Sequence, residues 1–111
     1  MAVQVLIRRK IMETKVKEVS PSIVKLRSLA TIQPGYISGE TLNCIDPPDR
    51  KEYLVISTWH SMEDWKKWLH SKERTAVNDQ IDQLSRGKAE YVIYEPLVGG
   101  IIPASNIQGE K

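Results

Sequence analysis

The chain has no phenylalanine, one cysteine and two histidines among its 111 residues. Each scarcity closes something off. A lone cysteine, Cys44, cannot form an intrachain disulfide, so nothing demands an oxidising compartment. Inside a strand-like run it reads as a small buried hydrophobe, not a nucleophile. His60 and His70 stand ten positions apart with no cysteine nearby, a poor pattern for a metal. No run approaches the ~20 apolar residues that span a bilayer, and Arg8 and Arg9 interrupt the N-terminus too early for a signal peptide. The net charge of +2 gives no bulk case for nucleic acid. The one basic run, Arg8-Arg9-Lys10, falls inside a strand pattern, where a solvated or interface role fits. No glycine-rich phosphate loop is present, and Gly35-x-x-x-Gly39 reads as hairpin backbone. The expectation is a cytoplasmic protein with neither nucleic-acid nor membrane partners.

What is present is ordinary globular material, 41% hydrophobic and 27% charged, enough for one domain. In residues 3–11, Val3, Val5, Ile7 and Ile11 share one face of a strand, and Arg9 breaks that face. Val16, Val19, Ile23, Leu26 and Ala30 then recur at helical spacing. Pro21 either kinks that helix or restarts it, with Ser20 as N-cap. Pro34-Gly35 ends it. Residues 35–45 and 53–59 read as a hairpin whose loop carries Pro47 and Pro48. The second of these strands is apolar on both faces, Tyr53, Val55 and Trp59 against Leu54 and Ile56, so it needs cover on both sides. Ser61 with Asp64 makes a capping-box-like start for a helix carrying Trp65, Trp68 and Leu69. After Ser71 a second segment carries Ala76, Val77, Ile81 and Leu84, and Arg86-Gly87 stops it. Residues 88–95 form a last strand. Residues 1–97 are thus one domain and 98–111 a tail, whose Ile101-Ile102 pair packs on a partner subunit or frays. The order strand, helix, strand, strand, helices, strand predicts an α+β ferredoxin-like sandwich with an antiparallel sheet. Its bare face calls for a second copy, a homodimer.

All three tryptophans fall between Trp59 and Trp68. The stretch from Gln33 through Pro34-Gly35-Tyr36 to Leu42, followed by a strand ending in Trp59 and then Ser-Met-Glu-Asp-Trp, resembles the antibiotic biosynthesis monooxygenase (ABM) family. The resemblance covers roughly residues 2–97. It implies a ferredoxin-like dimer with sheets packed face to face, a dimeric α/β barrel. It also implies an activity among cofactor-independent quinol or polyketide oxygenases or haem-degrading monooxygenases. The haem-degrading branch uses an Asn on the first strand, a Trp on the helix after the third, and a His ten residues on. Here those positions are Ile7, Trp68 and Asn78. The quinol-oxidising branch commonly carries a His near that Trp, and His70 is the nearest here.

A cofactor-free oxygenase must hold an electron-rich substrate as its anion in an apolar pocket, with a base or donor and walls that exclude water. Trp68, Asn78 and Arg9 are the catalytic candidates. Trp59, Trp65 and His70 are the substrate-binding candidates. Each has a plainer reading. The indoles can be core, Arg9 can pair with Glu40 or Glu95, and both histidines and Asn78 can sit at the surface. The expected function is oxidation of an aromatic, quinol or polyketide-type substrate by O2 without metal or flavin. The alternatives are a non-catalytic small-ligand or stress-response module on the same fold and, last, a haem-binding or haem-degrading protein.

Overall fold

Alternating apolar residues make β1 (Val3–Lys10), and helical spacing makes α1 (Val16–Thr31) after a 3-10 turn at Glu13–Lys15. They are followed by β2 (Tyr36–Asn43), β3 (Glu52–Trp59), α2 (Met62–Leu69), α3 (Lys72–Gln83) and β4 (Glu90–Tyr94) in a computed structural model that describes residues 1–99. The strands form one antiparallel sheet in the order β2-β3-β1-β4, the ferredoxin-like arrangement. The Ile101-Ile102 expectation lies outside the described residues. Among those residues no helix is long and apolar enough to cross a membrane.

Strand register sorts the side chains into two faces. Val3, Val5, Ile7 and Arg9 align with Trp59, Ser57, Val55 and Tyr53, and this face lies under the helices. The opposite face carries Leu6 between Ile56 and Val92, with Leu42, Leu54 and Tyr94 around them. Its rim residues Leu42, Val92 and Tyr94 are exposed. The two-faced character expected of β3 is therefore present, with one apolar face uncovered in a single chain.

Several local expectations shift. Helix α1 runs unbroken through Pro21, and Ser20 donates its hydroxyl to the Val16 carbonyl instead of capping a new start. Val16 and Ala76, expected in apolar stripes, are exposed. Strand β1 stops at Lys10, and Ile11 makes an isolated bridge to Ser85. Cys44 lies just past β2, half-buried, because β2 ends at Asn43 before the proline loop. A bulge between Tyr36 and Ser38 sets two residues of β2 against one of β3. It turns Tyr36 onto the helix side, edge-on to Trp59 with ring centroids 5.4 Å apart.

The two helix starts are fixed by serine caps. Ser61 Oγ accepts from Asp64 N at 3.1 Å and donates to Asp64 Oδ2 at 3.0 Å. Asp64 is too short to return a bond to the backbone, so the box closes through the two side chains. Gly35, at φ 85°, packs against that aspartate, and a Cβ there would collide with it. Ser71 Oγ accepts from Arg74 N at 3.2 Å and donates to the Trp68 carbonyl at 2.9 Å. One hydroxyl thus joins the last turn of α2 to the first turn of α3.

Candidate functional site

Helix α3 carries two adjacent stripes at four-residue spacing. Val77 and Ile81 form the apolar one and are buried with Ile11 and Val19. Arg74, Asn78 and Asp82 form the other. It faces β1, where Arg9 Nη2 donates to Asn78 Oδ1 at 2.7 Å and Nη1 lies 3.6 Å from Asp82 Oδ1. Asn78 Nδ2 completes the seam by donating to Asp82 Oδ2 at 3.2 Å. The break in the apolar face of β1 is therefore answered by α3. Arg9 does not pair with Glu40, which projects from β2 on the opposite face, nor with Glu95.

Arg74 is placed differently. It is 3% exposed, and its guanidinium lies 5.5 Å from the Trp65 ring centroid and 5.4 Å from that of Tyr91. Nη2 donates to the Tyr91 hydroxyl at 2.7 Å, but Nε is buried without an acceptor. Cation–π contact contributes about 0.5–2 kcal/mol, and a charged hydrogen bond about 1.5–3 kcal/mol. Withdrawing an ion from water costs several kcal/mol, the same order as these contacts together. Burial also pushes the Arg9 pKa below its ordinary value. Tyr91 and Asp82 act the other way, and the like charge of Arg74 adds to the lowering. Of these two buried guanidiniums, Arg9 alone pairs with a carboxylate, that of Asp82, among the described residues.

The indoles stand next to this charge. Trp59 is fully buried, stacks on Trp68 at 6.5 Å and 24°, and donates Nε1 to Ser57 Oγ at 3.0 Å. Trp65 and Trp68 find no acceptor for their Nε1 among the described residues. Both line a cavity of about 50 Å³ between α1 and the sheet. Ile7, Val55 and Ser57 form its floor, Ile23 and Leu26 its α1 side, and Tyr36, Gly39, Glu40 and Thr41 its β2 side. Arg9, Arg27 and Arg74 also line it, and Arg27 reaches across to the Gly39 carbonyl at 3.2 Å.

Of the residues singled out from sequence, the structure brings Arg9, Trp65 and Trp68 to this cavity. Trp59 backs the wall without lining it, and Asn78 touches it only through Arg9. His70 caps α2 through its backbone and is exposed, outside the lining. Arg74 was missed. On a helix beginning Lys-Glu-Arg it looks like one more solvated charge. The available signal was its place four residues before Asn78 and eight before Asp82. Among the described residues no cluster of three or more His, Cys, Asp or Glu gathers.

The antiparallel sheet with helices on one face makes this a small α+β protein of ferredoxin-like fold. Residues 2–80 match the family "Antibiotic biosynthesis monooxygenase", and the chain belongs to it. Among solved structures it is similar to Rv0793 from Mycobacterium tuberculosis, at 13% identity and a TM-score of 0.80, covering 91% of this chain and 100% of that one. SnoaB, a cofactor-independent oxygenase from Streptomyces nogalater, aligns at 15% identity and a TM-score of 0.77, over 88% and 95%. A conserved protein from Methanosarcina mazei Go1 aligns at 14% and 0.78, over 85% and 91%. Identities this low establish a shared fold. No curated protein matches the chain by sequence.

Proposed function

We propose that the chain is a small monooxygenase that oxidises an aromatic, quinol or polyketide-type substrate with O2, without metal or flavin, in the cavity beside Trp65 and Trp68. The observation that carries this reading is the junction of an indole wall with buried guanidiniums in one cavity. For a quinol with a free ring C–H, one oxygen atom goes to that carbon and the other leaves as water, giving the hydroxyquinone. The substrate supplies all four electrons. The protein's part is to hold the electron-rich anion and exclude water. Arg9 faces the developing charge, and Asn78 and Asp82 orient it. Trp65 and Trp68 wall the site, and Trp59 backs them. Tyr36 is the lining side chain able to exchange a proton.

At about 50 Å³ the cavity admits only water. A ring enters when the α1 side yields, where Arg27 is exposed and tied by one backbone contact. The narrowness favours a second reading, a binding module for a smaller ligand without catalysis. Oxygen uptake with 1,4-dihydroxybenzene separates the two. The oxygenase reading expects uptake above autoxidation that falls at least about tenfold in Trp68→Phe, which keeps an aromatic ring and loses the indole N–H. Uptake at the autoxidation rate sinks it.

The same proposal includes a homodimer closed over the face around Leu6, Ile56 and Val92. Sedimentation at micromolar concentration should show a two-copy species that Ile56→Glu dissociates, and a stable single copy would count against it. A cytoplasmic setting, in which the half-buried Cys44 thiol stays reduced, belongs to the proposal as well.

A further inference from the structure

The cavity carries more positive charge than the chain matches. Three arginines line it, and the one glutamate at its wall, Glu40, projects from β2 on the opposite face of the sheet. Arg27 is exposed at the α1 side and spends an Nη on the Gly39 carbonyl. Arg9 and Arg74 are out of water, at 1% and 3% exposure. Arg9 is accounted for: Asn78 Oδ1 accepts from it, and the unfilled Asp82 Oδ1 faces its unfilled Nη1 at 3.6 Å. Arg74 is not. Among the described residues no carboxylate pairs with it, and its Nε is enclosed with no acceptor. Its neighbours are two aromatic faces, a neutral phenol and another cation. The two rings, with centroids 6.2 Å apart, contact the guanidinium from adjacent directions and hold it in place. They leave Nε without an acceptor in a side chain that lines the cavity.

We propose that the substrate carries a carboxylate of its own, apart from the ring that is oxidised, and that Arg74 binds it. A carboxylate is the acceptor that matches a guanidinium fork. Its arrival takes the buried site from two cations and one anion to two of each. An uncharged ring of the same shape leaves the Nε–H unfilled, and a polar group left unpaired is what lets a site reject a near-isostere. Arg27, at the mouth, adds attraction for an incoming anion. Arg74 is fixed from both sides before ligand arrives, its backbone by the Ser71 cap and its head by Trp65 and Tyr91. The inference rests on the reading of this cavity as the substrate site and specifies what that site selects.

The test compares two probes with one ring, 2,5-dihydroxybenzoate and 1,4-dihydroxybenzene, by quenching of tryptophan fluorescence. Trp65 lies against Arg74 and reports on it. The wild-type protein should bind the benzoate at least tenfold more tightly. Arg74→Gln should bring the ratio of the two Kd values close to one. Arg74→Lys, which keeps the charge and loses the fork, should retain only part of the preference and serves as the second variant if the glutamine form folds poorly. A ratio near one in the wild-type protein, no benzoate binding, or a preference that survives both substitutions overturns the inference. Oxygen uptake keeps the two levels apart. Uptake without a carboxylate preference removes this inference and leaves the oxygenase reading. An Arg74-dependent preference without uptake removes the oxygenase reading and leaves this inference.

Discussion

The two ends of the helix–sheet interface are built from different chemistry. At one, Ile11, Val19, Val77 and Ile81 close on one another, with Ile23, Tyr53 and Leu84 around them. At the other, Trp59, Trp65 and Trp68 pack with Val3, Val5 and Ile7 beside a cavity that holds Arg9 and Arg74. Helix α3 serves both through stripes one residue apart, Val77–Ile81 for the first and Arg74–Asn78–Asp82 for the second. The aliphatic end is pure burial, which stabilises. The aromatic end buries charge, which does not stabilise a fold by itself. Stability and ligand selection are thereby divided across neighbouring faces of one helix.

Substitutions can break that division in order of expected effect. Ile81→Ala, at a fully buried position, should cost about 3 kcal/mol in urea unfolding and leave ligand affinity unaltered in the folded protein. A loss below about 1 kcal/mol would mean the aliphatic cluster is not the structural core. Arg9→Met strips Asn78 Oδ1 and Asp82 Oδ1 of their partner and should cost about 1–3 kcal/mol. A double-mutant cycle with Asp82→Ala should show coupling of about 0.5–3 kcal/mol, and strict additivity would dissolve the seam. Ser71→Ala should cost about 1 kcal/mol. It should also weaken binding of the 2,5-dihydroxybenzoate probe, because Ser71 ties Trp68 to Arg74. A pure stability change would show that the cap positions neither.

The contrast also explains what the sequence made visible. Element order, the apolar stripes and the serine caps follow from local periodicity, and local rules hold along most of the chain. The facing of β2's residues escaped them because its bulge breaks the two-residue alternation, so Tyr36 and Ser38 point to opposite faces despite equal parity. Pro21 was ambiguous because α1 tolerates it within a continuous helix. In the site, Arg9 was legible as a charge on an apolar face, but its partners were not, since Asn78 lies 69 residues away on another element. Arg74 was harder to read for the same reason. Its burial is made by Trp65 and by Tyr91, 17 residues on, and nothing in the Lys72-Glu73-Arg74 run distinguishes it from a solvated charge.

The most direct test of the division is the unfolding stability of Arg74→Met without ligand. Replacing a buried, unmatched cation by an apolar side chain of similar length should leave the melting temperature unchanged or raise it. A fall as large as that of Ile81→Ala would show that Arg74 belongs to the structural core and would contradict the account.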